Sequence, residues 1–290
     1  MANNLTILQP MKYIYIYFLI SLVVIIPGSY SLIINRLKPS IDFTGGTHIV
    51  WQLQASQADI AQAAKDVGVE IKSISNKENV WSIASTPLAQ DTYKNFLAKF
   101  ASAKELSFDT VGPSLGSELI QKTVTAIALS ATLIMLYVAY RFKNIKFGVS
   151  AILAMLHDSL VLLGVFSLLG RYMAVEVDTL FVTALLTILS FSVHDTIVVY
   201  DRIRELKKKH GYLDFEEIAN RAVLETMGRS INNSLTIIFM LLAMYLLGGE
   251  TTKWFIFALL IGTISGTYSS TFTAVPILVF WDKLAKKHLG

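Results

Sequence analysis

The sequence predicts an all-α membrane protein, a six-helix bundle interrupted once by a small α+β domain. Three observations carry this: six apolar stretches approach membrane-spanning length, basic residues concentrate in alternate connections, and one segment has the pattern of a water-soluble fold. Composition agrees. Of 290 residues, 53% are hydrophobic and 16% charged, with a positive mean hydropathy, against about 25% charged residues in a soluble globular chain.

A helix needs about 20 mainly apolar residues to cross a hydrocarbon core roughly 30 Å thick. The six stretches are 13–34, 123–140, 147–169, 177–200, 231–247 and 254–280. The first exceeds the apolar core of about 7 to 15 residues typical of a signal peptide, and no A-x-A-like cleavage site follows. It reads as a retained anchor, with a signal peptide as the alternative.

Lys and Arg in short loops set orientation, because cytoplasmic loops carry the positive excess. Arg141, Lys143 and Lys146 lie between spans two and three, and Arg202, Arg204, Lys207, Lys208, Lys209 and Arg221 between spans four and five. The intervening turns hold only Arg171 and Lys253, while the tail holds Lys283, Lys286 and Lys287. Both termini are therefore expected in the cytoplasm. The resulting division is an N-terminal tail and first span over 1–34, an extracytoplasmic domain over 35–121, and a bundle of five spans over 122–290 with a cytoplasmic loop at 201–230. The net charge of +4 reads as topology signalling next to apolar runs, so nucleic acid is not expected as a partner. The chain has no cysteine, which removes disulfides, thiolate metal sites and cysteine nucleophiles.

Hydropathy falls between Pro39 and Gly116. There, 46–53 alternates as a strand, 58–67 has helical spacing, and 70–74 is strand-like again. A turn cluster at 76–79 precedes a strand at 80–84, an amphipathic helix at 88–101 and a last strand at 105–111. The order βαββαβ is the ferredoxin-like split βαβ arrangement. His48 has no neighbour at metal-ligand spacing, so a surface or packing role is expected and no metal. Gly45 and Gly46 lack the rest of a phosphate loop and read as a tight turn into the strand.

Charges within the spans are the functional candidates, since an ionisable group at the bilayer centre is costly and usually faces a bundle interior or a watery cavity. Two pairs stand out, His157–Asp158 in span three and His194–Asp195 in span four. Thr183, Thr187, Ser190 and His194 fall four, three and four apart, one helical stripe beside Asp195 that should face protein or water. Span five opens with Arg229, Ser230, Asn232, Asn233 and Ser234, with Thr236 following, so polar groups recur at what is expected to be comparable depth. Arg229 is a counter-charge candidate for Asp195, with snorkelling to the interface as the alternative. The carboxylates either move protons as access alternates or only fix packing. Residues 215–227 are amphipathic and expected to lie along the inner membrane surface. Gly262 and Gly266, with nearby serines, predict close helix packing in span six. No enzyme is expected, because no H-E-x-x-H or G-x-S-x-G pattern appears.

These residues resemble the SecF family of protein-export subunits, within the resistance-nodulation-division superfamily. The matching pieces are Ile41-Asp42-Phe43-Thr44-Gly45-Gly46-Thr47, Val111-Gly112-Pro113-Ser114-Leu115-Gly116, His157-Asp158, and the run from Asp195 to Glu205. The resemblance covers nearly the whole length. It implies half of a pseudo-symmetric bundle, without cofactor, in the cytoplasmic membrane. It also implies pairing with SecD, docking on the SecYEG channel, YajC as a further partner, and use of the proton-motive force to draw a translocating polypeptide outward. In the family the span-four Asp and an Arg opening span five are associated with proton conduction, which carries over to Asp195 and Arg229. Two features depart from the family pattern: His194 stands where an Asn is usual, and Arg229-Ser230-Ile231-Asn232-Asn233-Ser234 stands where Arg-Thr-x-x-Thr-Ser is usual. The competing readings are half of a small-molecule or lipid exporter and a passive scaffold in which the carboxylates only pack.

Overall fold

The computed structural model describes residues 9–77, 79–249 and 251–289. The tail before residue 9, Glu78 of the expected turn, Glu250, Gly290 and the side chains of Lys77, Pro113, Lys287, His288 and Leu289 lie outside the described residues. The chain forms two compact units, one taking in residues up to Lys38 and from Ala126 onward, the other Pro39–Thr125.

After a 3-10 turn at Pro10–Tyr13, helix α1 spans Ile14–Ile34. The small unit follows as α2 (Ile41–Thr44), β1 (Gly46–Gln52), α3 (Gln57–Asp66), β2 (Ile71–Lys77), β3 (Val80–Ser85), α4 (Gln90–Ala98) and β4 (Lys104–Val111). Its sheet is antiparallel in the order β2-β3-β1-β4, the ferredoxin-like order expected from the pattern. Alternation puts Ile49, Trp51, Trp81 and Ile83 on the face covered by Ile60, Ala64, Tyr93 and Phe96 of the two helices. Burial of each large side chain there contributes roughly 1.5–3 kcal/mol. Ser56 and Asp59 form a capping box that starts α3.

The glycine pair is a turn, as expected. Gly45 and Gly46 have φ of 67° and 144°, and a Cβ on Gly46 would stand 2.6 Å from the Ser85 carbonyl oxygen. L-residues are excluded there by both conformation and space. His48 is half-buried, its Nε2 2.7 Å from Ser82 Oγ.

The bundle continues as α5 (Pro113–Phe142), α6 (Ile145–Met173), α7 (Thr179–Lys209), α8 (Phe215–Leu247) and α9 (Lys253–Ser269), then a π turn at Ser270–Ala274 and α10 (Val275–Leu289). Among the described residues six helical stretches, counting 253–286 as one, are long and apolar enough to cross a membrane. Asn144 caps α6 and Asp178 caps α7, each side chain accepting a backbone N–H of the first turn. The interior is built by α6, α7 and the 253–286 stretch, while α1, α5 and α8 are largely exposed.

One expectation is corrected. Residues 215–227 do not lie separately along a membrane surface. They are the first turns of a continuous α8, and Ile218, Ala219, Ala222 and Val223 are buried in the core with Val199, Ile203 and Leu206 of α7. The reason is length. Because α7 runs to Lys209, only five residues separate it from α8, so α8 turns straight back and its apolar stripe meets α7 instead of lipid.

Candidate functional site

The two membrane carboxylates occupy different settings. Asp158 on α6 is 0% exposed and sits where α6, α7 and α9 meet. Its Oδ2 accepts from Ser192 Oγ of α7 and Ser269 Oγ of α9, each at 2.6 Å. Its Oδ1 accepts from Ser265 Oγ of α9 at 2.6 Å and lies 3.1 Å from His157 Nδ1. Serines four apart on α9 project to one side, so both reach the same carboxyl group. With a proton on Nδ1, His157 is the fourth donor, and each carboxylate oxygen is satisfied twice.

His157, 7% exposed, carries this cluster to α1: its Nε2 is 3.0 Å from Ser21 Oγ. Its ring stacks on Tyr268, whose hydroxyl donates to the Tyr17 carbonyl at 2.8 Å. Further along the same seam Gly28 meets Gly164 backbone to backbone, and Ser31 Oγ is 2.8 Å from Ser167 Oγ. The pairs 21–157, 28–164 and 31–167 keep one constant offset, the mark of two parallel helices in register, and small residues at the contact let their backbones close.

Asp195 on α7 is 4% exposed. Among the described residues its one hydrogen-bond donor is Ser230 Oγ of α8, at 2.5 Å. One helical turn away, Val198 and Thr226 line a cleft of about 480 Å³ between α7 and α8, completed by Asp201, Arg202, Glu205, Glu225 and Arg229. Across its mouth Arg202 donates to Glu225 and, at 2.5 Å, to Glu205. Arg141 pairs with Asp201 at 3.2 Å. This part of the molecule, with Lys207 to Lys209, is the basic end of the bundle.

Arg229 is exposed on the cleft wall, and among the described residues no ion pair joins it to Asp195. The stripe Thr183, Thr187, Ser190 and His194 is exposed on the outer side of α7, and Asn232 is exposed on α8. Thr183 and Thr187 satisfy their hydroxyls on the carbonyls four residues back. Ser190, His194 and Asn232 present polar groups outward at membrane depth. Gly262 and Gly266 pack α9 against Ile188 and Ser192 of α7, which brings Ser265 and Ser269 within reach of Asp158. Sequence reasoning missed Ser192 and Ser21 as partners, and picked out Ser230 only as one of several polar groups opening span five. A lone serine has no signal of its own, and only the four-residue spacing of Ser265 and Ser269 gave a hint. Among the described residues no group of three or more metal-ligating side chains occurs.

Comparison with known proteins gives a consistent result. The family model described as "Protein export membrane protein SecD/SecF, C-terminal" matches residues 92–284, and one described as "SecD/SecF GG Motif" matches 30–57. The chain is 41% identical to protein translocase subunit SecF of Thermobaculum terrenum, over 92% of each chain. It is 37% identical to protein translocase subunit SecDF of Thermus thermophilus, over 85% of this chain and 35% of that one. The crystal structure of SecDF from Thermus thermophilus, titled a translocon-associated membrane protein, superposes with a TM-score of 0.84 at 32% identity, over 94% of this chain and 38% of that chain.

Proposed function

The chain belongs to the family of SecD/SecF protein export membrane proteins, and on that premise we propose that it is the SecF-type subunit of a protein translocase, driven by protons through Asp195. Asp195 carries the reading: a buried carboxylate with one hydroxyl donor, one turn from a charged cleft. A buried carboxyl group with few partners and nearby water is suited to exchange a proton. Each proton crossing the field releases about 2.3 kcal/mol per 100 mV, enough to bias a conformational change.

Pairing with a SecD-type chain is supported by the outward polar groups of α7 and α8, which lipid satisfies poorly, and by the single-chain SecDF relative. SecYEG, YajC and the translocating polypeptide are the further partners of this reading. The positive loops favour cytoplasmic termini and an extracytoplasmic small domain.

The test is Asp195→Asn in the complex with its SecD-type partner and channel, reconstituted in vesicles. Assembly is expected to persist while the gradient-dependent part of polypeptide export is lost. Export at the parent rate excludes the proton-motor reading and leaves a scaffold. Orientation is checked independently, because the chain lacks cysteine. Lys94→Cys should react with an impermeant maleimide added outside intact cells, and Gly211→Cys only after permeabilisation. The reverse pattern inverts the topology.

A further inference from the structure

Helices α7 and α8 run antiparallel along the Asp195 seam, and their polar pairs follow in order. Asp195 meets Ser230, and two turns nearer the basic end Arg202 donates to Glu225. The step from 195 to 202 is about 10 Å along the helix axis. Between the two pairs lie Val198 and Thr226, each one turn from its neighbour in the first pair and on the same helix face. Both line the cleft of about 480 Å³, together with Arg202, Glu225 and Arg229. The Thr226 hydroxyl is taken up by the Ala222 carbonyl at 2.8 Å, so the cleft wall beyond it is ionic.

The ionic groups are unequally partnered. Arg202 serves two carboxylates, Glu225 of α8 and, three residues on in its own helix, Glu205 at 2.5 Å. Glu205 is also bonded by Lys209 at 2.7 Å, and Asp201 by Arg141 at 3.2 Å. Arg229 is the exception: it is exposed on the same cleft wall, and among the described residues it has no ion pair. It stands four residues after Glu225, and a Glu one turn before a basic residue is the favoured helical spacing for an ion pair. Glu225 therefore has two guanidinium groups in reach, one on the opposite helix and one on its own. Moving it from Arg202 to Arg229 leaves Arg202 with Glu205 and the number of ion pairs unchanged. Partly exposed pairs of this kind each contribute little, so the two arrangements are close in free energy. Among the described residues Arg202–Glu225 is the one ion pair that joins α7 to α8, and the exchange removes it. The backbone need not follow. Ile218, Ala222 and Val223 stay in the core with Val199, Ile203 and Leu206, and side-chain rotation alone makes the exchange.

We propose that Arg202 and Glu225 are positioning residues for the proton step at Asp195: their ion pair latches the cleft across α7 and α8, and exchange of Glu225 to Arg229 opens it toward the basic end. This rests on the reading of Asp195 as the proton-carrying group. In the latched state two charged side chains are joined across the seam between Asp195 and the basic end. In the open state each folds back onto its own helix. Arg229 acts here as the alternative partner of Glu225, a role distinct from that of a counter-charge to Asp195.

Thiol labelling of the full chain with its SecD-type partner in liposomes tests this, because the chain lacks cysteine and Val198→Cys places a single thiol in the cleft. Thr226→Cys serves should that variant not fold. The probe is methyl methanethiosulfonate, which is small and neutral. Arg202→Gln and Glu225→Gln should each speed labelling about threefold, the population shift that one such ion pair supports, and the double variant should add nothing further. Arg202→Lys should stay near the parent rate. Arg229→Gln should slow labelling by a similar factor, since Glu225 is then left with Arg202 alone. The opposite signs of Arg202→Gln and Arg229→Gln are the signature. Both remove one positive charge, so a purely electrostatic effect on the thiol moves them the same way. Changes in the same direction, or no change in any variant, overturn the latch. The labelling uses neither gradient nor export, so its failure and that of the Asp195 reading are told apart.

Discussion

Asp158 and Asp195 pose the same physical problem, a carboxyl group buried among membrane helices, and the protein resolves it in two ways. Asp158 is held by three serine hydroxyls and a histidine drawn from three helices. Asp195 has one hydroxyl from one neighbouring helix and a charged cleft a turn away. Saturating a buried charge fixes the elements that supply its donors, whereas leaving it with one partner near water keeps its proton exchangeable. One site is organised as the knot of the bundle, and the other is, on the proposed reading, its working edge.

The largest difference is expected in stability. Asp158→Ala strands three hydroxyls and His157 and should destabilise by about 3–5 kcal/mol, as does removal of one member of a buried charged network. Asp195→Ala strands only Ser230 and should destabilise by about 1–2 kcal/mol. Reversible denaturation of the purified chain in detergent measures both, and equal losses break the contrast.

Helix packing sharpens it further. A Cβ at Gly262 would come 2.1 Å from Ile188 Cδ1, so Gly262→Val should part α9 from α7, loosen the Asp158 knot and lower stability by about 1–3 kcal/mol. On the working edge Gly228 has no atom within 4 Å of such a Cβ. Gly228→Ala should therefore stabilise α8 by about 0.5–1 kcal/mol, and opposite signs in the same melt are the diagnostic.

The smallest effect falls in the small domain, where a buried polar group is held against titration outside the membrane. Burial first, then a hydrogen bond donated to Glu105, pushes the Tyr93 phenol up to about 12 from 10.0. The folded domain holds this proton more tightly than the unfolded chain. Its stabilising contribution is complete below pH 10 and declines as pH rises through about 12. Phenolate absorbance of the full chain against Tyr93→Phe reads this, and a Tyr93 that ionises at pH 10 contradicts it.

Much of this was legible in the chain itself. Six apolar runs specify six spans because the hydrocarbon core admits no unpaired backbone, and period-two alternation specifies the sheet face that buries Trp51 and Ile83. The glycine pair at 45–46 announced its turn. The helix over 215–227 was not placed correctly, since an amphipathic stripe is equally suited to a membrane surface or to a neighbouring helix. The length of α7 made the choice. Likewise His157–Asp158 and His194–Asp195 are the same dipeptide in two spans, and no local pattern distinguishes the saturated carboxylate from the sparsely bonded one.

The sequence by itself determined how many times the chain can cross a membrane, where the soluble fold is inserted and which ionisable groups must be explained. It did so because hydropathy, periodicity and charge are local properties, readable within a window of residues. Only the tertiary structure decided that Ser192, Ser265 and Ser269 converge on Asp158, that Ser230 is the one donor to Asp195 among the described residues, and that the polar stripe of α7 faces outward. Those outcomes depend on the rotation of each helix about its axis and on which helices adjoin, and these are set by packing between residues far apart in the chain.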